Sequence, residues 1–162
     1  MRPRANRAIL TAAALLALLA DEPAWADVKA GVDAWSRGDH ADAVREWQGP
    51  AAAGDPDAMF NLAQAYRLGR GVPKDLAEAE ALYARAAATG HLEAADSYGL
   101  LLFQDGRREA ALPYIMDAAR RGDARSEYLL GIAYFNGDMV PKDWVRAYML
   151  LTQSLGTMSP LK

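Results

Sequence analysis

The chain has 162 residues, 52% of them hydrophobic, a formal net charge of −3 and no cysteine. That length suits one domain with a real core. The missing cysteine excludes disulfides, thiolate nucleophiles and cysteine-based zinc sites, and the acidic balance gives no basic field for nucleic acid.

The first 26 residues differ from the rest. Arg2, Arg4 and Arg7 precede an uncharged run of 13 residues, "AILTAAALLALLA", and then "DEPAWA" ends in Ala24-Trp25-Ala26. A basic region, an apolar region and a small-x-small site in that order predict a secretory signal peptide over 1–26, cleaved after Ala26. The apolar run is shorter than the ~20 residues that span a bilayer. No transmembrane segment is expected in the mature chain, and the expected location is a bacterial periplasm.

After residue 27 the chain repeats itself. "YRLGRGVPKD" from Tyr66 returns as "YFNGDMVPKD" from Tyr134, with Tyr, Gly, Val, Pro, Lys and Asp shared in register. Gly54, Gly90 and Gly122 each close an alanine-rich segment, and a similar segment restarts after each. Self-similarity at this spacing marks a helical repeat. Four units result, at about 28–54, 55–90, 91–122 and 123–156, leaving a short tail over 157–162. The first and third units lack the "GVPK"-type insert and have shorter turns.

Each unit reads as a helical hairpin. In the second, Met59, Leu62, Ala63 and Tyr66 follow helical spacing from about Asp57 to Leu68. Gly69 suits a left-handed cap, Pro73 marks the connection, and Asp75 suits the N-cap of a second helix. That helix presents Ala79, Leu82, Tyr83, Ala86 and Ala87, and Gly90 ends it. The glycines of "YRLGRGVPKD" are therefore helix punctuation. A phosphate loop would follow a strand and end in a lysine-hydroxyl pair, and neither holds here. The second copy also has Met139 where the first has Gly71.

The recurring Ala58, Leu62, Tyr66, Gly69, Gly71, Val72, Asp75, Ala79, Tyr83, Ala86, Ala87, Gly90 and His91 resemble the Sel-one-like repeat family, relatives of tetratricopeptide repeats. The fourth unit agrees at Leu130, Gly131, Tyr134, Gly137, Val140, Asp143 and Ala147. The resemblance covers about residues 28–156. It implies an all-α fold, a right-handed α-α superhelix of about four hairpins, and a role as an adaptor or scaffold. Exported bacterial members are linked to envelope functions, and some carry a C-terminal SPOR domain that binds peptidoglycan. This sequence shows no such domain after its repeats. Without a covering helix after the last repeat, Leu150, Leu151 and Leu155 are expected to be partly exposed, which favours self-association.

Catalytic patterns are absent from the sequence. His40 and His91 are far apart in the repeat order, no HExxH occurs, and no serine sits in a nucleophile elbow. We expect no cofactor, no metal site and no enzyme activity.

The resemblance also assigns a face. It puts one row of each first helix on the concave side. That row holds Trp35, Phe60, Gln64, Arg67, Asp96, Leu100, Phe103, Tyr128, Ile132 and Phe135, with Val32 beside them. Aromatic and arginine rungs of this kind suit capture of a protein or peptide. The same aromatics also read as inter-repeat core, and both readings stand at this level. The expected function is an exported interaction module of the cell envelope with a protein or peptide partner. The alternative is a peptidoglycan-associated module. Nucleic acid is not an expected partner.

Overall fold

Local chemistry sets most of the helix boundaries. In the computed structural model the backbone is described over residues 24–158 and the side chains over residues 28–156. Eight helices occur among the described residues, and no strand. They are α1 (Ala24–Arg37), α2 (His40–Ala53), α3 (Pro56–Leu68), α4 (Leu76–Ala88), α5 (Leu92–Gln104), α6 (Arg108–Arg120), α7 (Ala124–Asn136) and α8 (Trp144–Met158). They pair as four hairpins, and each hairpin packs on the next to make an α-solenoid. The predicted leader lies outside the described residues except for Ala24-Trp25-Ala26, which form the first turn of α1. The expected tail begins inside α8, and residues 159–162 lie outside the description.

Two turn designs alternate. In the short turns, Gly38 and Gly106 take positive φ, and the next amide reaches back to the first helix. Asp39 donates to the Ala34 carbonyl at 3.0 Å and Arg107 to that of Leu102 at 2.9 Å. In the long turns, Gly69 and Gly137 form left-handed caps, and the Asp75 and Asp143 amides donate to the Tyr66 and Tyr134 carbonyls at 3.0 Å each. The Asp75 carboxylate then accepts from the Ala77 and Glu78 amides, and that of Asp143 from Val145 and Arg146. Side-chain caps of this kind are worth ~1 kcal/mol each.

Between hairpins the first helix of the next unit is capped by Asp55, His91 or Asp123. His91 does this with Nδ1, which accepts from the Ala94 amide at 3.1 Å. Its proton is then on Nε2, which lies 3.1 Å from Asp57 Oδ1. Phe60 stacks on the imidazole with centroids 5.0 Å apart.

The hairpins close through one small position in each first helix, Gly31, Ala63, Gly99 and Gly131. A Cβ on Gly31 would fall 2.2 Å from the Trp47 indole nitrogen, one on Gly99 would fall 2.5 Å from Tyr114 Cβ, and one on Gly131 would fall 2.9 Å from Leu151 Cγ. In the second unit Ala63 is fully buried. Trp47, lying across Gly31, donates its indole N–H to the Val28 carbonyl at 3.1 Å. Alanine dominates the remaining core: Ala43, Ala58, Ala65, Ala79, Ala86, Ala94 and Ala111 are fully buried.

The structure adds to the expected helix grammar in three places. Pro50 and Pro113 lie inside α2 and α6 rather than in connections. A helical proline costs ~3 kcal/mol. Pro50 is buried in the last part of α2, so packing offsets its lost amide bond, and Pro113 has its face toward solvent. Second, Gly71 and Met139 share a register position but not a conformation. Gly71 has φ +76°, and no described residue other than glycine has positive φ. A Cβ on Gly71 would lie 2.3 Å from the His40 carbonyl oxygen, so this glycine lets the long turn rest on the start of α2. Third, Glu127 is fully buried and both its carboxylate oxygens are without a hydrogen bond. It occupies the position held by Met59 in the second unit, where the side chain is 2% exposed.

The last helix has an open outer face. Leu155 is 61% exposed, with Tyr148 at 71% and Val145 at 70%, whereas Leu150 and Leu151 are half-buried. At the register position of Tyr148, α4 carries Glu80, whose side chain is 27% exposed within the stack.

These contacts set three expected outcomes, all read as urea midpoints followed by circular dichroism. Gly71→Ala should destabilise the chain by more than about 2 kcal/mol, because strain at positive φ adds to a backbone clash. Gly90→Ala, with the same sign of φ and open space around it, should cost only about 1 kcal/mol. Glu127→Met should stabilise by about 1–3 kcal/mol, because it removes a buried carboxylate with no partner. A Glu127→Met variant that unfolds at lower urea would mean that the carboxylate is compensated.

Candidate functional site

The helices that open each hairpin, α1, α3, α5 and α7, share one surface. Three cavities lie along it. The largest, 660 Å³, is walled by Gln64 and Arg67 of α3, Lys74 of the long turn, and Leu76, Ala77 and Glu80 of α4. Ser97, Leu100, Leu101 and Gln104 of α5, the adjoining Asp105 and Arg125 of α7 complete it. A second, 200 Å³, lies between Val32, Trp35, Trp47, Asn61, Gln64 and Leu68. A third, 370 Å³, is bordered by Val28, Val32, Asp57, Phe60, Asn61, His91 and Glu93. Gln64 borders the first two, and Val32 and Asn61 the last two, so the hollows run together along the stack.

The row read from the sequence is split by the fold. Gln64, Arg67 and Leu100 line the large cleft, Trp35 the second hollow and Phe60 the third. Trp35 and Phe60 also pack against the amino-terminal core, and Trp35 meets His40 and Trp47 with ring centroids 4.3 and 5.5 Å away. Asp96 is held at 2.5 Å by Arg121, the residue that follows α6. Phe103 packs against the carboxyl-terminal core, with the Arg108 guanidinium over its ring at 5.4 Å. Ile132 is half-buried, and Tyr128 and Phe135 are 44% and 46% exposed outside these cavities. Phe135 leans on Trp144 at 5.3 Å, and the Lys142 ammonium lies 5.0 Å from the centre of the Trp144 ring. The ten positions therefore do not form one groove; five border the hollows and five lie apart from them.

Sequence reasoning passed over Lys74, Glu80, Ser97, Gln104, Asp105 and Arg125 at the cleft. A signal for one of them was present. At the second position of the first helices of the second and third hairpins stand acidic Asp57 and Glu93, and the fourth hairpin has Arg125 there.

The charges of the cleft are unequally satisfied. Glu80 and Asp105 both bind Arg107, at 2.5 and 2.9 Å, and the Glu80 hydrogen bond keeps the Arg107 guanidinium firmly protonated. Arg67 donates to the Gln64 side-chain oxygen at 3.1 and 2.7 Å and has no ion pair among the described residues. Lys74 and Arg125 have neither a hydrogen bond nor an ion pair among the described residues. The Tyr83 side chain is fully buried, with Arg67 and Ser97 near its hydroxyl. Burial pushes that phenol above its ordinary range, while nearby Arg67 and Ser97 act against the shift. Among the described residues no group of three or more histidine or acidic side chains could hold a metal ion. No described helix is long and apolar enough to cross a membrane.

The Sel1 repeat family pattern matches residues 56–91 and 124–155, the two hairpins with long turns. A search of curated proteins gives no match. Among solved structures, the chain is similar to a protective antigen of uropathogenic Escherichia coli that displays an SLR fold, with 24% identity and a TM-score of 0.73. It is also similar to a Sel1 repeat protein from Oxalobacter formigenes, with 26% identity and a TM-score of 0.72. The alignments cover 96% and 91% of this chain but 34% and 65% of those chains, so it spans about a third and just under two thirds of their lengths. Sel1 repeats therefore lie in hairpins two and four, within a four-hairpin solenoid whose fold is similar to that of SLR proteins.

Proposed function

We propose that the chain is an exported interaction module of the bacterial envelope that holds a protein partner along the hollows of its first-helix surface. Sel1 repeats are generally protein–protein interaction modules, and the three adjoining cavities carry the choice of surface. Their walls mix leucine, aromatic, amide and arginine side chains on rigid helices, the composition of a recognition surface. The basic, apolar and small-residue order of the first 26 residues supports export. The partner contacts are assigned to Gln64, Arg67 and Leu100 in the cleft, with Trp35 and Phe60 in the neighbouring hollows. The chemistry required is binding, with no covalent step.

Two measurements test this reading. Expressed in a Gram-negative host, the chain should appear in the periplasmic fraction with Asp27 as its first residue. Retention in the cytoplasm with Met1 intact would overturn export. For the surface, a photo-crosslinker placed at Gln64 should capture a defined envelope protein. Capture should fall at least about tenfold with Arg67→Glu plus Leu100→Ser, with unchanged helicity. Equal capture by a crosslinker at exposed Arg45, on the second helix of the first hairpin, would place the contact elsewhere.

A further inference from the structure

The cations of the large cleft stand out against the repeat itself. Arg67 occupies the position that the other three units fill with Trp35, Phe103 and Phe135. Arg125 occupies the position of Asp57 and Glu93, in the first turn of α7. A helix N-terminus carries a partial positive charge, so acidic residues there stabilise and a cation is unfavourable. Arg125 is therefore placed against the stability of its own helix, and it has no described partner in return. Lys74 has a register twin in Lys142. The twin's ammonium lies over the Trp144 ring, whereas position 76 offers leucine, and the Lys74 head has no described partner. Local rules broken without an internal gain mark function.

The two carboxylates of the cleft do not neutralise these cations, because both are taken by Arg107. In a chain of net charge −3 the cleft is thus locally positive. At 660 Å³ it is larger than a single small anion needs. Its floor supplies Leu100 and Leu101, and Ser97 and Gln104 stand two turns apart on α5. Hydroxyl and amide groups at that spacing suit the backbone of an extended segment, and the leucines suit aliphatic side chains between its charges.

From this arrangement we infer that the cleft binds an extended acidic peptide segment, with its carboxylates held by Arg67, Lys74 and Arg125. The inference deepens, and rests on, the interaction reading above. Arginine matches carboxylate as a planar fork, and lysine adds a mobile point charge from the turn. The exposed heads of Lys74 and Arg125 make the attraction sensitive to salt.

The test is fluorescence anisotropy with a labelled peptide of about ten residues, extended to about 33 Å and containing glutamate, leucine and glycine. A second peptide carries glutamine at every glutamate. The glutamate peptide should bind at least about tenfold tighter, with the difference shrinking as salt rises. Arg125→Glu should weaken binding of that peptide at least about tenfold. It should also raise the thermal midpoint, because it restores the acidic residue favoured at that helix start. A general structural role for Arg125 would not combine those two changes. Lys142→Ala, with the charge change of Lys74→Ala, should leave affinity unchanged, whereas Lys74→Ala should lower it. Equal binding of the two peptides overturns the inference. So does unaltered affinity in Arg125→Glu, or displacement of the peptide by an equal concentration of inorganic phosphate. If these fail while the crosslink at Gln64 persists, the interaction surface stands and its acidic ligand falls. If both fail, both readings fall.

Discussion

The fold depends on how closely two helices can approach within one hairpin. Gly31, Ala63, Gly99 and Gly131 keep that approach short, and a methyl group at three of them would enter the facing helix's side chains. The partner across the gap sets the size of the gap. Gly31 takes the whole indole of Trp47, while Gly131 takes the branched end of Leu151. Dispersion and burial then act over many short contacts, which suits a core built largely from alanine. Four such units bury their faces against one another, so the stability of each hairpin depends on its neighbours.

The turns convert this packing into a superhelical surface. Short and long turns differ in length, yet each sends an amide back to the end of the first helix. The second helix is therefore launched in a fixed direction whether or not the insert is present. Gly71 goes further and seats the second unit's turn on the backbone of α2. Ion pairs such as Arg107–Glu80 and Arg121–Asp96 tie elements distant in the chain. On a partly exposed surface each is worth ~0–1 kcal/mol, so they orient more than they stabilise. What they orient is the first-helix surface with its hollows.

At the cleft, the proposed binding and the stability of the free chain pull apart. Arg125 opposes its helix dipole, and the two carboxylates are consumed by Arg107. Each feature is unfavourable or neutral for the free chain. Together they leave cations and polar groups available to something outside it. The buried Glu127 is a separate cost, because it lies in a core position of the last hairpin and not in the cleft wall.

Helical hairpins, their glycine caps and the Asp75 cap were legible in the sequence, because each is decided by hydrogen bonds and φ angles within a few residues. So were the Sel1 repeats, because their pattern recurs at fixed intervals. The position of Pro50 inside α2 was not, because burial supplied by other helices outweighs a local penalty. Nor was the division of the aromatic row. Phe103 and Phe60 share a helix face in the pattern, yet one packs on the carboxyl-terminal core and the other borders a hollow. The meeting of Lys74 with Arg125, 51 positions apart, was likewise invisible. Periodicity states which residues share a face. The rotation between successive hairpins, set by their packing, decides which faces converge.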